Sequence, residues 1–320
     1  HTQRRRQRQM CIRDRSQIEQ FSQEYIDKNT PEKDMLFKSF LDSQEPYTSI
    51  FKNNPWLAPP NFKEPLSRKK AHYWNTTVGR KHPYWKTKKL PTPTKEIKQI
   101  RKDFKKWGYA LIEDGMSKDQ CASFIERLLD QAKGEKLAGV NSITPSGQYV
   151  HTLINKGEIF RGCIEQDPSF VQAGLLIENF LNETLGKGWI CHSFLANGAE
   201  KGYYPQVLHL DQSPLSPWIT EEAPALVNTL YIPQDVNEVN GGTLIIPGSH
   251  KNIIKAGSNG EVGKLPPAIN LEARAGTVML FDGRLLHGTG VNHTDEIRFV
   301  AAMSNVKSVS YTHLRAHETV

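Results

Sequence analysis

Hydrophobic and polar positions divide the chain into three textures. From Ser16 to about Phe40 the apolar residues Ile18, Phe21, Tyr25, Met35 and Leu36 are scattered among polar ones, which predicts weak helix. Thr30 would cap a restart there, with Pro31 in its first turn. Residues 44–94 lose periodicity and gather prolines, lysines and aromatics, as in Pro55-Trp56, Tyr73-Trp74 and Pro83-Tyr84-Trp85. That pattern predicts an irregular extension laid over a main domain, with its aromatics as anchors. Helical spacing then returns. Lys95 to Trp107 reads as an amphipathic helix, Gly108 to Ile112 as a short strand, and Ser117 as the cap of a helix running to about Lys133 and ended by Gly134. A further helix is expected over Pro168 to Leu185, with Phe170, Leu175, Leu176, Phe180 and Leu181 as its buried stripe.

From Trp189 onward the pattern is that of strands. Trp189–Leu195, Gln206–Asp211, Leu226–Ile232, Gly242–Ile246, Thr277–Phe281 and Ile297–Met303 are short apolar or alternating runs separated by Gly- and Pro-containing joints. Many short strands with such turns predict a sandwich or barrel, and a double-sheet jelly roll suits their number. The expected fold is therefore mainly β with flanking helices, around a double-stranded β-helix (cupin-like) core.

Composition changes the picture in two places. Four cysteines (Cys11, Cys121, Cys163, Cys191), none in a C-x-x-C pair, argue against a disulfide framework or zinc ribbon and fit a reducing, cytoplasmic setting. No apolar run reaches the eighteen or so residues of a membrane helix. The formal charge of +7 invites a nucleic-acid reading, but residues 1–15 hold six arginines against one aspartate, so most of the excess sits there. That stretch and residues 309–320 resemble translated sequencing-adapter read-through, which is set apart from fold reasoning; a basic arm for nucleic acid or organelle targeting is the rival reading. The expected organisation is thus an artefact at 1–15, an irregular extension at 16–104, a jelly-roll domain at 105–308 and an artefact at 309–320. No nucleic-acid or membrane partner is expected, and the oligomeric state cannot be read.

The candidate chemistry centres on three residues. His209 and Asp211 form a His-x-Asp pair, and alternation along an extended segment puts both side chains on one face. His287, in Leu285-Leu286-His287-Gly288-Thr289-Gly290, can close the third corner. Two imidazoles and a carboxylate with open positions opposite suit non-heme Fe(II), although the same donors also build catalytic zinc sites. A zinc hydrolase and a non-catalytic jelly-roll binding protein therefore stay open as alternatives. His250, closing Pro247-Gly248-Ser249-His250-Lys251, is expected to order a loop or touch substrate. The stretches Ser213–Pro224 and Lys251–Asn270 are candidate lids, with Trp218 packed over substrate or simply buried.

Around the pair stand Gln206, Asn228, Asn240-Gly241-Gly242-Thr243, the Ile245-to-Lys251 run, Ala275-Gly276-Thr277, Asn292 and Arg298. With these accompaniments the chain resembles the phytanoyl-CoA dioxygenase family of Fe(II)- and 2-oxoglutarate-dependent oxygenases, from about Trp107 to Val306. The resemblance implies iron held by His209, Asp211 and His287, and a small-molecule substrate. It implies that Arg298, eleven residues after His287, receives the distal carboxylate of 2-oxoglutarate, which a guanidinium fork suits. Thr289 would add a hydroxyl contact, and Gln206 and Asn228 would stand behind the ligands and cosubstrate. The implied reaction consumes O2 and 2-oxoglutarate, releases succinate and CO2, and hydroxylates an unactivated C–H bond. Related halogenases lack the ligand carboxylate, so Asp211 favours hydroxylation.

Overall fold

A computed structural model describes residues 83–308 except 145, 204, 207, 213–221 and 258–260, together with residues 49 and 52–54. The helix expected over 16–40, most of the 44–94 stretch and Trp218 lie outside the described residues. The chain enters through a short helix, α1 (Pro83–Lys86), then α2 (Ile97–Trp107), the strand β1 (Tyr109–Ile112) and the long helix α3 (Lys118–Leu137). Next come β2 (Ser142–Thr144), β3 (Gly147–Val150), α4 (Glu158–Ile164), α5 (Gly174–Leu185) and β4 (Ile190–Ala199). The second half supplies β5 (Leu226–Tyr231), β6 (Thr243–Ile245), α6 (Ser249–Ala256), β7 (Ile269–Asn270), β8 (Val278–Asp282), β9 (His287–Thr289) and β10 (Arg298–Val306).

These strands form a seven-stranded antiparallel sheet, ordered β1-β8-β5-β10-β4-β3-β2, facing a three-stranded sheet, β7-β6-β9. This is the expected jelly roll. Apolar side chains explain the layering. The outer face of the large sheet (Ala110, Ile112, Phe194, Ala196, Val227, Tyr231, Phe299, Ala301) packs on Ile100, Phe104, Phe124, Leu128, Phe160 and Phe180 of the helices. Its inner face (Tyr109, Leu111, Leu230, Met279, Phe281, Val300) meets Ile245, Ile269 and Leu285 across the roll. The outer face of the small sheet (Leu208, Leu210, Leu244, Leu286) is covered by Ile253, Val262, Leu265 and Ala268. The 251–270 stretch therefore includes residues sealing the back of the small sheet, where a lid over the mouth was expected.

Several boundaries differ from the sequence reading for identifiable reasons. Ser117 does cap α3, in a reciprocal box: its Oγ accepts from the Gln120 amide (3.1 Å) and Gln120 Oε1 accepts from the Ser117 amide (2.9 Å). The helix nevertheless runs past Gly134. Glu135 turns inward, accepts from Gln131 Nε2 at 2.9 Å and pairs with Lys156 at 3.0 Å, which holds the extra turn. Helix α5 starts later than expected, because the amides of Gln172 and Ala173 donate to Gln120 Oε1 and the Gly115 carbonyl instead of continuing a helix back to Pro168. Leu175 is not part of its buried stripe: it is 63% exposed, while Ile177, Phe180, Leu181 and Leu185 point inward.

The 206–211 segment is the correction that bears on the site. Its described residues do not form a regular strand: they make one isolated antiparallel bridge, His209 to His287, and then turn. The turn is captured by Gln212, whose Oε1 accepts from the amides of Ala225 (3.0 Å) and Leu226 (3.2 Å). Extended geometry through 208–210 still places Leu208 and Leu210 on the outer cluster, with His209 between them on the other side.

The described part of the N-terminal extension is fastened to the loop behind the small sheet. Asn53 Nδ2 donates to the Val262 carbonyl (2.8 Å), and Asn54 takes the Leu265 amide (2.7 Å). Ser49 takes the Val262 amide (2.8 Å), and the Trp85 indole donates to the Pro267 carbonyl (3.0 Å). Trp85 is buried against Trp107, ring centroids 6.2 Å apart. In α6, His250 orders the end of α2, its Nε2 lying 3.3 Å from the Lys105 carbonyl.

Candidate metal centre

His209 and His287 meet through mutual backbone hydrogen bonds (2.9 and 3.2 Å), which bring their rings to a centroid distance of 4.4 Å. Asp211, two residues on, reaches both: its Oδ1 lies 3.4 Å from His209 Nε2 and its Oδ2 3.3 Å from His287 Nε2. One ligand atom from each residue falls within 4.8 Å of the others. His287 is buried and the other two are half-buried, so the cluster is open on one side. Phe281 packs edge-on against the His287 ring at 4.7 Å, fixing its plane.

The donor set fits a divalent metal in detail. His287 Nδ1 lies 2.9 Å from the Leu285 carbonyl, an acceptor that keeps a proton on Nδ1 and turns Nε2 toward Asp211 as the nitrogen that would give up its proton to bind a metal. Asn228 Nδ2 donates to Asp211 Oδ2 at 2.8 Å, while its own Oδ1 accepts from Ser304 Oγ at 2.7 Å. The carboxylate is thus oriented from behind by a chain that begins on β10. Burial works to raise the Asp211 carboxyl, but the facing His287 and His209 outweigh it and hold the acid well below the usual carboxylate range. An ionised carboxylate flanked by two imidazoles is the state that binds a cation.

The remaining expected site residues divide between the two sheets. Thr289, on β9 beside His287, donates its hydroxyl to Gln206 Oε1 at 3.2 Å, and the Gln206 amide donates to the Thr289 carbonyl. Asn228 stands behind Asp211. Arg298 opens β10 and is buried in the roll. Two of its nitrogens are anchored on the Asn240-Gly241 turn: Nε on the Asn240 carbonyl and Nη2 on that of Gly241. A side chain at Gly242 would lie 2.4 Å from Asn270 Oδ1 and 2.7 Å from the Leu271 carbonyl, so this turn packs only with glycine there. The third nitrogen, Nη1, is buried with no hydrogen-bond partner. Burial lowers the guanidinium to about 10, against a raising influence from Tyr149, so at neutral pH it remains a cation. A buried cation with one donor unused is a receptor for an anion.

Sequence reasoning missed Tyr149 and Asn197. They lie opposite each other on β3 and β4, and Asn197 in turn lies opposite Val300 of β10. Asn197 Oδ1 is a second buried polar atom without a partner. The readable signal was the pair Ser146-Gly147, a breaker between two runs too short to stand out.

Comparison with known proteins agrees with this arrangement. Residues 104–300 match the model of the family described as phytanoyl-CoA dioxygenase. Among curated proteins, the dioxygenase FUM3 of Gibberella moniliformis is 37% identical over 106 residues, covering 32% of this chain and 34% of that protein. The dioxygenase af480 of Aspergillus fumigatus is 34% identical over 114 residues, covering 35% of each. The matched stretch therefore spans about a third of these relatives. Among solved structures, the non-heme alpha-ketoglutarate-dependent carbocyclase SnoK from nogalamycin biosynthesis shares the fold at TM-score 0.53 and 18% identity, covering 69% of this chain and 88% of that one. EctD from S. alaskensis, solved with 2-oxoglutarate and 5-hydroxyectoine, aligns at TM-score 0.53 and 16% identity, over 70% of this chain and 79% of its own. With a family match over 104–300 laid on a jelly roll whose mouth carries two histidines and an aspartate, the chain belongs to the phytanoyl-CoA dioxygenase family.

Proposed function

We propose that the protein is an Fe(II)- and 2-oxoglutarate-dependent oxygenase that hydroxylates an unactivated C–H bond of a small molecule or acyl derivative. The observation that carries this reading is Arg298: a buried guanidinium anchored on two carbonyls, one nitrogen unused, in the same roll as the His-Asp-His cluster. A zinc hydrolase would use the same three ligands and leave that arginine without a task. Bound together, iron and the 2-oxo acid would supply the oxidising chemistry, consuming O2 and releasing succinate and CO2.

The chain's own contribution is orientation. His209, Asp211 and His287 would hold the metal from one side; Leu285 and Asn228 fix the ring and carboxylate that do so. Arg298 would take the distal carboxylate of the cosubstrate through Nη1. Asp211 occupies the ligand position that a halide would need, which favours hydroxylation. Tyr109, Leu111, Phe281 and Val300 line the roll with apolar surface and exclude water from it. Among the described residues no helix is long and apolar enough to cross a membrane. Cys121, Cys163 and Cys191 are free, which suits the proposed cytoplasmic setting.

The test is an anaerobic titration. Fe(II) and 2-oxoglutarate should bind together and produce the visible charge-transfer absorption of their chelate, and His209→Ala or Asp211→Ala should abolish it. Full iron affinity in either variant would remove the metal assignment. Absence of oxygen-dependent succinate release across a broad substrate panel would leave a binding protein.

A further inference from the structure

We propose that the exposed face of α2, with residues 86–89 before it, is a docking surface for an anionic lipid membrane, held by electrostatic attraction without insertion. The proposal is independent of the proposed activity and begins with where the charge lies. Residues 83–107 carry nine lysines and arginines against two carboxylates, Glu96 and Asp103. Residues 108–308 carry fifteen cations against twenty-two carboxylates, an equal and opposite excess. Over the whole chain the two cancel, and mainly the surplus of residues 1–15 shows.

Helix α2 sorts its charges by face. Lys98, Arg101, Lys102 and Lys105 follow at spacings of three and four and project from one side, opposite the buried Ile100, Phe104 and Trp107. Asp103, the one carboxylate within α2, is itself buried and accepts from Gln99 Nε2 at 2.8 Å. Of the nine cations, Lys95 pairs with Asp114 at 2.8 Å, Arg101 with Glu183, and Lys105 with Glu222 at 3.8 Å. Lys86, Lys89, Lys98 and Lys102 are exposed and pair with no carboxylate among the described residues. Like charges four apart on a helix repel, as Lys98 with Lys102 and Lys102 with Lys106 do. A negative surface attracts this side of the molecule and repels the acidic remainder, which sets its orientation.

The chemistry of the face favours lipid over other polyanions. Eight of the nine cations are lysines, point charges that suit a diffuse layer of headgroups better than the bidentate phosphate recognition of arginine. Stacking of nucleic-acid bases needs exposed aromatic rings. Trp85 and Trp107 are buried, and only Tyr84 of this stretch is exposed, with Lys88 Nζ 4.4 Å above its ring. A tyrosine beside lysines is placed as aromatics are at membrane–water interfaces. A protein partner would need an apolar centre to desolvate, whereas the exposed positions of α2 are Lys98, Gln99, Arg101, Lys102, Lys105 and Lys106. The apolar side of α2 is spent inside the domain, so attraction is left to charge alone. Just past Lys106, the Gly108 carbonyl accepts from the Asp282 amide at 2.9 Å, and Tyr109 pairs with Phe281, which packs against His287. The C-terminal end of the basic face thus lies at the end of the roll that carries the His-Asp-His cluster.

The test is sedimentation of the full chain with vesicles of phosphatidylcholine, alone or with about 30% phosphatidylserine. Binding should require phosphatidylserine. It should be released when salt rises from about 0.1 M to about 1 M, which shortens the screening length from about 10 Å to about 3 Å. A lysine near such a surface contributes about a factor of five in affinity, so Lys98→Gln/Lys102→Gln should bind roughly 25-fold more weakly. That variant should resist urea at least as well as the unmodified protein, because it relieves repulsion. Lys86→Gln/Lys89→Gln, outside the helix, should show a similar loss. Changing Arg4, Arg5, Arg6 and Arg8 to glutamine controls for the basic N-terminal stretch and should leave the lysine-dependent binding in place. Full vesicle affinity in both lysine variants, binding lost only with the four arginines, or no binding by the unmodified protein would each overturn the proposal. Tighter binding of a mixed-sequence DNA duplex, lost in the same lysine variants, would assign the face to nucleic acid and overturn it as well.

Discussion

Replacing Asn228 with leucine measures how much the orientation of Asp211 contributes to metal binding. Asn228 is fully buried, and its amide is used at both ends, donating to Asp211 Oδ2 at 2.8 Å and accepting from Ser304 Oγ at 2.7 Å. Leucine keeps the volume and removes both bonds. A hydrogen bond to a charged group is worth about 1.5–3 kcal/mol. At about 1.4 kcal/mol per factor of ten, Fe(II) affinity should fall roughly ten- to a hundredfold, the range typical of outer partners of metal ligands. The stranded Ser304 hydroxyl adds a cost to the fold of about 1–3 kcal/mol. Removing it in Asn228→Leu/Ser304→Ala should recover stability without recovering iron. Anaerobic Fe(II) titration and urea unfolding of the metal-free protein separate the two quantities. Undiminished iron affinity in a destabilised Asn228→Leu protein would show that the pair is only structural, and the orientation argument would fail.

Two further outcomes are expected. Trp85→Ala removes a buried ring and its bond to the Pro267 carbonyl, and should lower stability by about 3–5 kcal/mol in urea unfolding; a loss near zero would show that the extension contributes nothing to the fold. His250 should make the protein acid-sensitive. Burial lowers its folded pKa, so between the unfolded value near 6.5 and the lower folded value the unfolded chain binds the extra proton. Stability is then full above about pH 6.5 and falls as pH drops through that window. Thermal melts from pH 5 to 8 should show this slope reduced in His250→Gln, and an unchanged slope would assign the sensitivity to another group.

Much of the fold was legible because local signals agreed with tertiary need. Ser117 announces α3, and the Lys95-to-Trp107 periodicity announces α2. The strand runs of the second half all found partners except Gln206–Asp211, whose ladder stops at one bridge because Gln212 diverts the chain to Ala225 and Leu226. What was not legible depended on contacts distant in sequence. Gly134 reads as a stop, yet Lys156 pairs with Glu135 and keeps the helix going. Leu175 fits an apolar stripe, yet the start of α5 is set by Gln120 and Gly115, which rotates that residue outward. The candidate site shows the same division. The spacing of His209 and Asp211 carries its own geometry, whereas the unused donor of Arg298 becomes visible only once β10 is set against the distant Asn240-Gly241 turn.

The fastening of Ser49, Asn53 and Asn54 onto Val262 and Leu265 has a kinetic side. These bonds join positions 209 to 213 residues apart, among the most non-local contacts a chain of this length can make. Loop closure grows only as the logarithm of length, about 0.6 kcal/mol per doubling, so the cost at equilibrium is modest. During synthesis, however, the N-terminal partner waits for nearly the whole domain to emerge. The small sheet, which carries His287 on β9 and is bridged by His209, can be sealed from behind only at the end. Completion of the proposed metal centre and the last step of folding would thereby fall next to each other in time.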